Sequence, residues 1–287
     1  MKLPALSPNS SAAHFRTIAY VTALGRWESE GYWANYWYQS QSAKRELLIE
    51  ALMGRSNVEI GEIKMAFKDK RYADDLIRCM DKELKADKFR TAVLMALEER
   101  RQEENDVWPI EYRNRDVDTL YECLRRREGG ESPMLGICVQ RSDAHLREVL
   151  RTYERKYQAN FAKEALKKSH NLVGEVIAHI LNGVINRPAR DAMLLNHALT
   201  DLSSPASDIS ENPRASAASV SSRHERKDRV ELLISRLVRL HWDRQHMAKV
   251  KQDYRERYRS YLEDDVEHFV KGSDFREFCL RICESGR

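Results

Sequence analysis

The sequence predicts an all-α fold assembled from repeated helical units, and three observations carry that prediction. A block of large apolar residues at helical spacing occurs three times along the 287 residues. Glycine and proline are few, eleven and seven, which disfavours a β fold with many turns. Charged residues make up 33% and apolar ones 42%, the balance of a water-soluble helical chain.

The repeated block reads "RSNVEIGEIKMAFKDKRY", "RSDAHLREVLRTYERKY" and "HWDRQHMAKVKQDYRERY", counted from Arg55, Arg141 and Trp242. Five residues on stand Ile60, Leu146 and Met247; eight on, Ile63, Val149 and Val250; twelve on, Phe67, Tyr153 and Tyr254. These offsets fall on one stripe of an α-helix, so the stripe is read as core. A further tyrosine closes each block (Tyr72, Tyr157, Tyr258), one residue later in the first copy than in the others.

The flanks repeat as well. An apolar helix precedes each block, in "ELLIEALMG", "SPMLGICVQ" and "VELLISRLVRL". A short charged helix follows, then another apolar one, in "DKFRTAVLMAL", "VGEVIAHILNGVI" and "DFREFCLRIC". Further helices, roughly over 27–37, 116–126 and 189–199, stand in front, which makes five helices per unit.

Chemistry-bearing patterns are sparse. The five cysteines show no metal-ligand spacing, and Cys279 and Cys283, one helical turn apart, read as a buried stripe rather than a redox pair. The nine histidines form no H-E-x-x-H, and His241 and His246 are five apart, poor spacing for a shared ligand. No nucleophile elbow or phosphate-cradling glycine loop is present, and the neighbouring acids Asp264 and Asp265 read as a solvated helix face. The chain is therefore not expected to be an enzyme. A formal charge of +4 does not argue for nucleic acid, and the basic residues of "DRQHMAKVKQDYRERYRSY" interleave with the apolar stripe as its outer face. No apolar run reaches the eighteen residues of a membrane-spanning helix, and "MKLPALSPNSSAAHF" is too short in apolar residues for a signal peptide, so a cytoplasmic protein is expected. The serine-rich stretch 200–227 buries too little to order itself and reads as a disordered insertion.

The order of five helices, the "LLIEALMGRSN" stretch and the closing "FREFCLRIC" resemble the annexin family, over roughly residues 13–287. The resemblance implies an annexin-like array: a segment 1–25 holding the last helix of a first repeat ("HFRTIAYVTAL"), then repeats over 26–100, 101–183 and 184–287, the last containing the insertion. It also implies peripheral binding to anionic phospholipid membrane surfaces through calcium held in the first interhelical loop of each repeat. There a G-x-G-T stretch offers carbonyls and an acidic side chain some forty residues on closes the shell, a donor set that suits a hard cation.

This sequence departs from that pattern in every unit. In the first, G-x-G-T aligns with Ser40-Gln41-Ser42-Ala43, so the glycines are gone while Glu83 stands near the acidic position; calcium is conceivable and weak there. In the second, "RREGG" puts Glu128-Gly129 over the central pair and Lys168 over the acid, a cation that repels calcium. In the third, Lys227-Asp228-Arg229-Val230 align with the loop and Val270 with the acid. The same loops carry Lys44 and Arg45, Arg125, Arg126 and Arg127, and Arg226, Lys227 and Arg229; the opposite ones add Lys82, Lys85, Lys167, Lys168 and Lys271. In an annexin-like fold these cations share one convex face, and a basic side chain near an anionic leaflet contributes roughly 1 kcal/mol within a Debye length of about 8–10 Å. The expectation is lipid binding through Lys44, Arg45, Lys85, Arg126, Arg127, Lys168, Lys227, Arg229 and Lys271, with weak or absent calcium dependence. The alternative is a helical interaction scaffold that self-associates, because the last unit would lack its first-repeat partner and "GRWESEGYWANYWYQ" is rich in tryptophan and tyrosine.

Overall fold

The structure, a computed structural model, describes residues 10–39, 45–169, 171–203 and 230–284, and every regular element among them is helical. In chain order these are α1 (Ser11–Leu24), α2 (Arg26–Gln39), α3 (Arg45–Leu52), α4 (Asn57–Ala66), α5 (Leu76–Glu83), α6 (Lys88–Leu97), α7 (Ile110–Arg125), α8 (Glu131–Gln140), α9 (Asp143–Tyr157), α10 (Phe161–Lys168), α11 (Leu172–Ser203), α12 (230–241), α13 (Arg244–Tyr258), α14 (Leu262–Phe269) and α15 (Ser273–Glu284). Contacts divide the chain into two compact units. One holds the described residues up to Leu47 and from Pro188 onward; the other is Leu48–Arg187.

The repeated stripe is core in all three copies. Ile60, Ile63 and Phe67, then Leu146, Val149 and Tyr153, then Met247, Val250 and Tyr254, are each no more than 2% exposed. The helices that carry them also start alike. Ser56, Ser142 and Asp243, each one residue into its block, cap α4, α9 and α13 by accepting from the backbone N–H three residues on. At Ser56 the Glu59 carboxylate reaches back to the cap N–H, completing a reciprocal capping box. The extra residue before Tyr72 has a local cause: α4 stops at Ala66, Phe67 is extended (φ −63°, ψ 129°), and a single 3₁₀ turn over Lys70–Tyr72 follows. α9 and α13 instead run unbroken to Tyr157 and Tyr258.

Buried tyrosines on the stripe need a partner for their hydroxyls. Eleven residues on, the next helix supplies a carboxylate: Tyr153 donates to Glu164 at 3.0 Å and Tyr254 to Asp265 at 2.6 Å. Asp265 also accepts from Ser260 Oγ at 2.7 Å, so of the two acids expected on a solvated face only Asp264 is exposed; its neighbour is engaged inside. All five cysteines are free and buried, Cys279 and Cys283 among them, and burial pushes the Cys283 thiol up to about 12.

In the unit around the termini, α1 lies along α15, with Phe15 edge-on to Phe278 at 5.8 Å and His14 tilted against Phe275 at 5.5 Å. Trp33 and Trp37, 1% and 3% exposed, are core residues of α2 rather than a displayed aromatic surface. α12 is buried along nearly its whole length, and its polar side chains are paired: Tyr36 donates to Glu231, Arg239 grips Glu30 through two bonds of 2.6 and 2.8 Å, and Arg236 donates to the Leu194 carbonyl at 2.6 Å. α11 breaks at Asn186 (φ −157°, ψ 96°), two residues before Pro188, which has no N–H to donate to the preceding turn. The helix then continues to Ser203, so residues 200–203 of the expected insertion are its last turn; the remainder, 204–227, lies outside the described residues.

In the unit Leu48–Arg187, α7 packs on α8 and α9, and α6 on α8. A buried ion network locks α7 to the α8–α9 junction. Asp116 accepts from Arg141 at 2.7 and 3.1 Å and lies 2.9 Å from His145 Nε2, while Arg141 stacks over Trp108 at 4.9 Å. Burial opposes the Asp116 charge, but the bonds from His145 and Arg141 outweigh it and hold the carboxyl below its usual range. The last repeat pairs the same helix positions through His246 and Asp191, at 2.7 Å.

Ile63→Ala removes most of a fully buried side chain from the stripe, and should cost about 2–5 kcal/mol in chemical denaturation. A group whose pKa is lower folded than unfolded stabilises the fold above its unfolded pKa and loses that contribution as the pH falls. Asp116→Asn should therefore be less stable at neutral pH, and should lose less stability than wild type on acidification from pH ~5 to ~3.

Candidate functional site

The loops expected to carry function begin and end at helix termini, and one carboxylate gathers three of them. Glu131, the first residue of α8, accepts from Lys88 Nζ at 2.5 Å, from Asn171 Nδ2 at 2.9 Å and from Ser169 Oγ at 3.2 Å. Lys88 opens α6, while Ser169 and Asn171 lie between α10 and α11. The α5–α6, α7–α8 and α10–α11 loops therefore meet at one end of this unit. Lys88 is the principal reason that the Glu131 carboxyl sits below its ordinary range. Around this clasp Lys82, Lys85, Arg125, Arg126, Arg127 and Lys167 are all exposed.

The α7–α8 loop turns tightly, and its two glycines are the reason. Gly129 has φ +78°, a conformation that side chains disfavour. Gly130 lies against the end of α7, where an added Cβ would come within 2.2 Å of the Cys123 carbonyl oxygen. That packing leaves the last carbonyls of α7 converging on a single point. A helix C-terminus has four carbonyls without intrahelical partners and the negative end of the helix dipole, so a cation is favoured there.

The cation is Lys168. Its ammonium donates to the carbonyls of Cys123 and Leu124 at 2.8 Å each, and to that of Arg126. An ammonium has three hydrogens, and all three are used. Beside it an open cleft of about 450 Å³ is lined by Tyr121, Leu124, Arg125, Tyr153, Glu164 and Lys167 as well as Lys168. Arg125 lies over the Tyr121 ring at 5.2 Å and donates to its hydroxyl at 2.5 Å, and Tyr121 stacks on Tyr157 at 3.7 Å.

The chain is 27% identical over 231 residues to Annexin C1 of Cryptococcus neoformans var. grubii, an alignment covering 79% of this chain and 43% of that relative. It thus spans under half the length of the curated relative. Among solved structures it is similar to annexin A8 (TM-score 0.78, 16% identity, 96% of this chain and 77% of that one). Annexin III (0.74, 19%, 94% and 75%) and chicken annexin V (0.71, 15%, 94% and 76%) are similar too. This chain has the annexin fold. No family profile matches it.

Of the expected calcium loops, the one between α7 and α8 lies wholly within the described residues. Calcium takes six to eight oxygens, usually with carboxylates among them. In the α7–α8 loop the converging carbonyls already hold an ammonium. Val270, at the acidic position of the last repeat, is a buried apolar residue. Glu83 ends α5, exposed, and accepts from the Tyr72 hydroxyl. Ser40–Lys44, Lys227 and Arg229 lie outside the described residues; among the described residues no group of three His, Cys, Asp or Glu side chains is placed to hold a metal.

Of the expected lipid-facing cations, Lys85, Arg126, Arg127 and Lys168 are brought to one end of the unit Leu48–Arg187, with Lys168 turned inward on the loop carbonyls. Arg45, half-exposed at the start of α3, and Lys271, exposed between α14 and α15, belong to the other unit. Sequence reasoning missed Glu131 as the clasp; its place directly after a glycine pair and before an apolar helix was the available signal. Gly130→Ala should destabilise the unit by about 1–3 kcal/mol in thermal or chemical unfolding, because the added Cβ must push apart two backbone segments.

Proposed function

We propose that this chain binds anionic phospholipid surfaces peripherally, as its annexin fold and its curated relative suggest, and that its basic loops need little or no calcium to do so. The observation that carries this reading is the gathering by Glu131 of three loops, in or beside which Lys82, Lys85, Arg125, Arg126, Arg127 and Lys167 are exposed against the acids Glu83, Asp87 and Glu128. Six cations against three acids leave this end net positive, and each basic side chain beside an acidic leaflet is worth roughly 1 kcal/mol without a bridging ion. No helix among the described residues is long and apolar enough to cross a membrane, which fits attachment at the surface. Trp33 and Trp37 are interior residues, so they lend no support to the alternative of a self-associating scaffold.

Co-sedimentation with vesicles of phosphatidylserine and phosphatidylcholine, in excess calcium and in chelator, at low and high salt, is the direct test. Binding to the acidic vesicles should persist in chelator and fall as salt rises, and Arg125→Glu/Arg126→Glu/Arg127→Glu should weaken it at least tenfold. Binding that appears only with calcium would reject the ion-independent part, and equal absence of binding to acidic and neutral vesicles would reject the membrane reading altogether.

A further inference from the structure

We propose that the Lys168 ammonium is the resident cation of the α7–α8 loop, occupying the carbonyl cradle in place of a diffusible divalent ion, so that this loop keeps its working shape whatever the calcium concentration. The inference deepens the membrane reading by naming how one of its loops is regulated, or rather freed from regulation.

Three backbone carbonyls, those of Cys123, Leu124 and Arg126, point at one atom. Two of them belong to the last turn of α7, where they would otherwise lack partners, and the third lies just past it in the loop. Gly129 in the left-handed region and Gly130 pressed against Cys123 keep the loop folded over that point. The cation arrives from the end of α10, more than forty residues along the chain. Next to it, the serine that follows is tied to Glu131, and Glu131 to Lys88, so the position of the lysine is fixed from outside the cradle as well. An external ion would have to displace a bonded ammonium and accept its charge as a neighbour, while gaining only three of the oxygens it requires. With its hydrogens committed, Lys168 holds the loop in shape, and the exposed Arg125, Arg126 and Arg127 are left to meet an anion.

Amide hydrogen exchange on the full chain, read by mass spectrometry over residues 124–131, tests this in excess calcium and in chelator. Wild type should exchange equally in both. Lys168→Met, which keeps most of the length of the side chain and removes its charge, should exchange about tenfold faster in both. Lys168→Glu should be fast in chelator and slowed by calcium, because a carboxylate then joins the three carbonyls. Lys168→Gln serves in place of the methionine variant should that fail to fold. A wild-type loop that calcium slows would overturn the proposal, as would a methionine or glutamine variant that exchanges like wild type. A glutamate variant on which calcium has no effect would reduce Lys168 to an ordinary helix cap and overturn it too. Phosphatidylserine vesicles run alongside keep the two claims apart: wild type that ignores them removes the membrane reading, and the exchange data still decide the cradle.

Discussion

The helical units of this chain rest on one packing constraint, a ridge of large side chains at the fifth, eighth and twelfth positions of a block whose second residue caps the helix. The cap fixes where the helix begins, and with it the rotation of every residue that follows. The ridge then points inward in all three copies, and its last member sets what comes next. Where that member is tyrosine, its hydroxyl requires a carboxylate from the following helix, so Tyr153 fixes α10 through Glu164 and Tyr254 fixes α14 through Asp265. Where it is Phe67 no such requirement exists, and there the helix ends early and the chain turns through a 3₁₀ step instead.

Because α10 is placed by Tyr153, so is the lysine that ends it. The route from ridge to candidate site is then short: Tyr153 positions α10, α10 delivers Lys168, and Lys168 closes the carbonyls at the end of α7. The Asp116–Arg141–His145 network fixes α7 against the same α8–α9 junction from its middle. Cradle and cation therefore sit on two elements that are each held by buried polar pairs, which is the rigidity that a preformed binding loop needs.

Much of the fold was legible in the sequence because its signals are local. The ridge residues and the burial of Cys279 and Cys283 follow from periodicity within a single helix. What sequence could not give was direction. Lys168 reads equally well as a lipid-facing cation, as a charge that repels calcium, or as a donor to its own protein. The choice is made by carbonyls forty-two to forty-five residues away. Asp265 escaped for the same reason, since its partner Tyr254 lies in the previous helix and the pair is seen only once the two helices cross. Glu131 carries no motif at all, and its role exists only where three loops converge.

The covalent attachment of the Lys168 charge has a consequence for signalling. A free ion leaves its seat when its concentration drops, and a protein that depends on it reports that drop. A charge on a five-bond leash is present at an effective concentration that no cellular transient can dilute. A loop filled as proposed gives up sensing in exchange for constancy, and its response is left to the changing charge of the surface it meets.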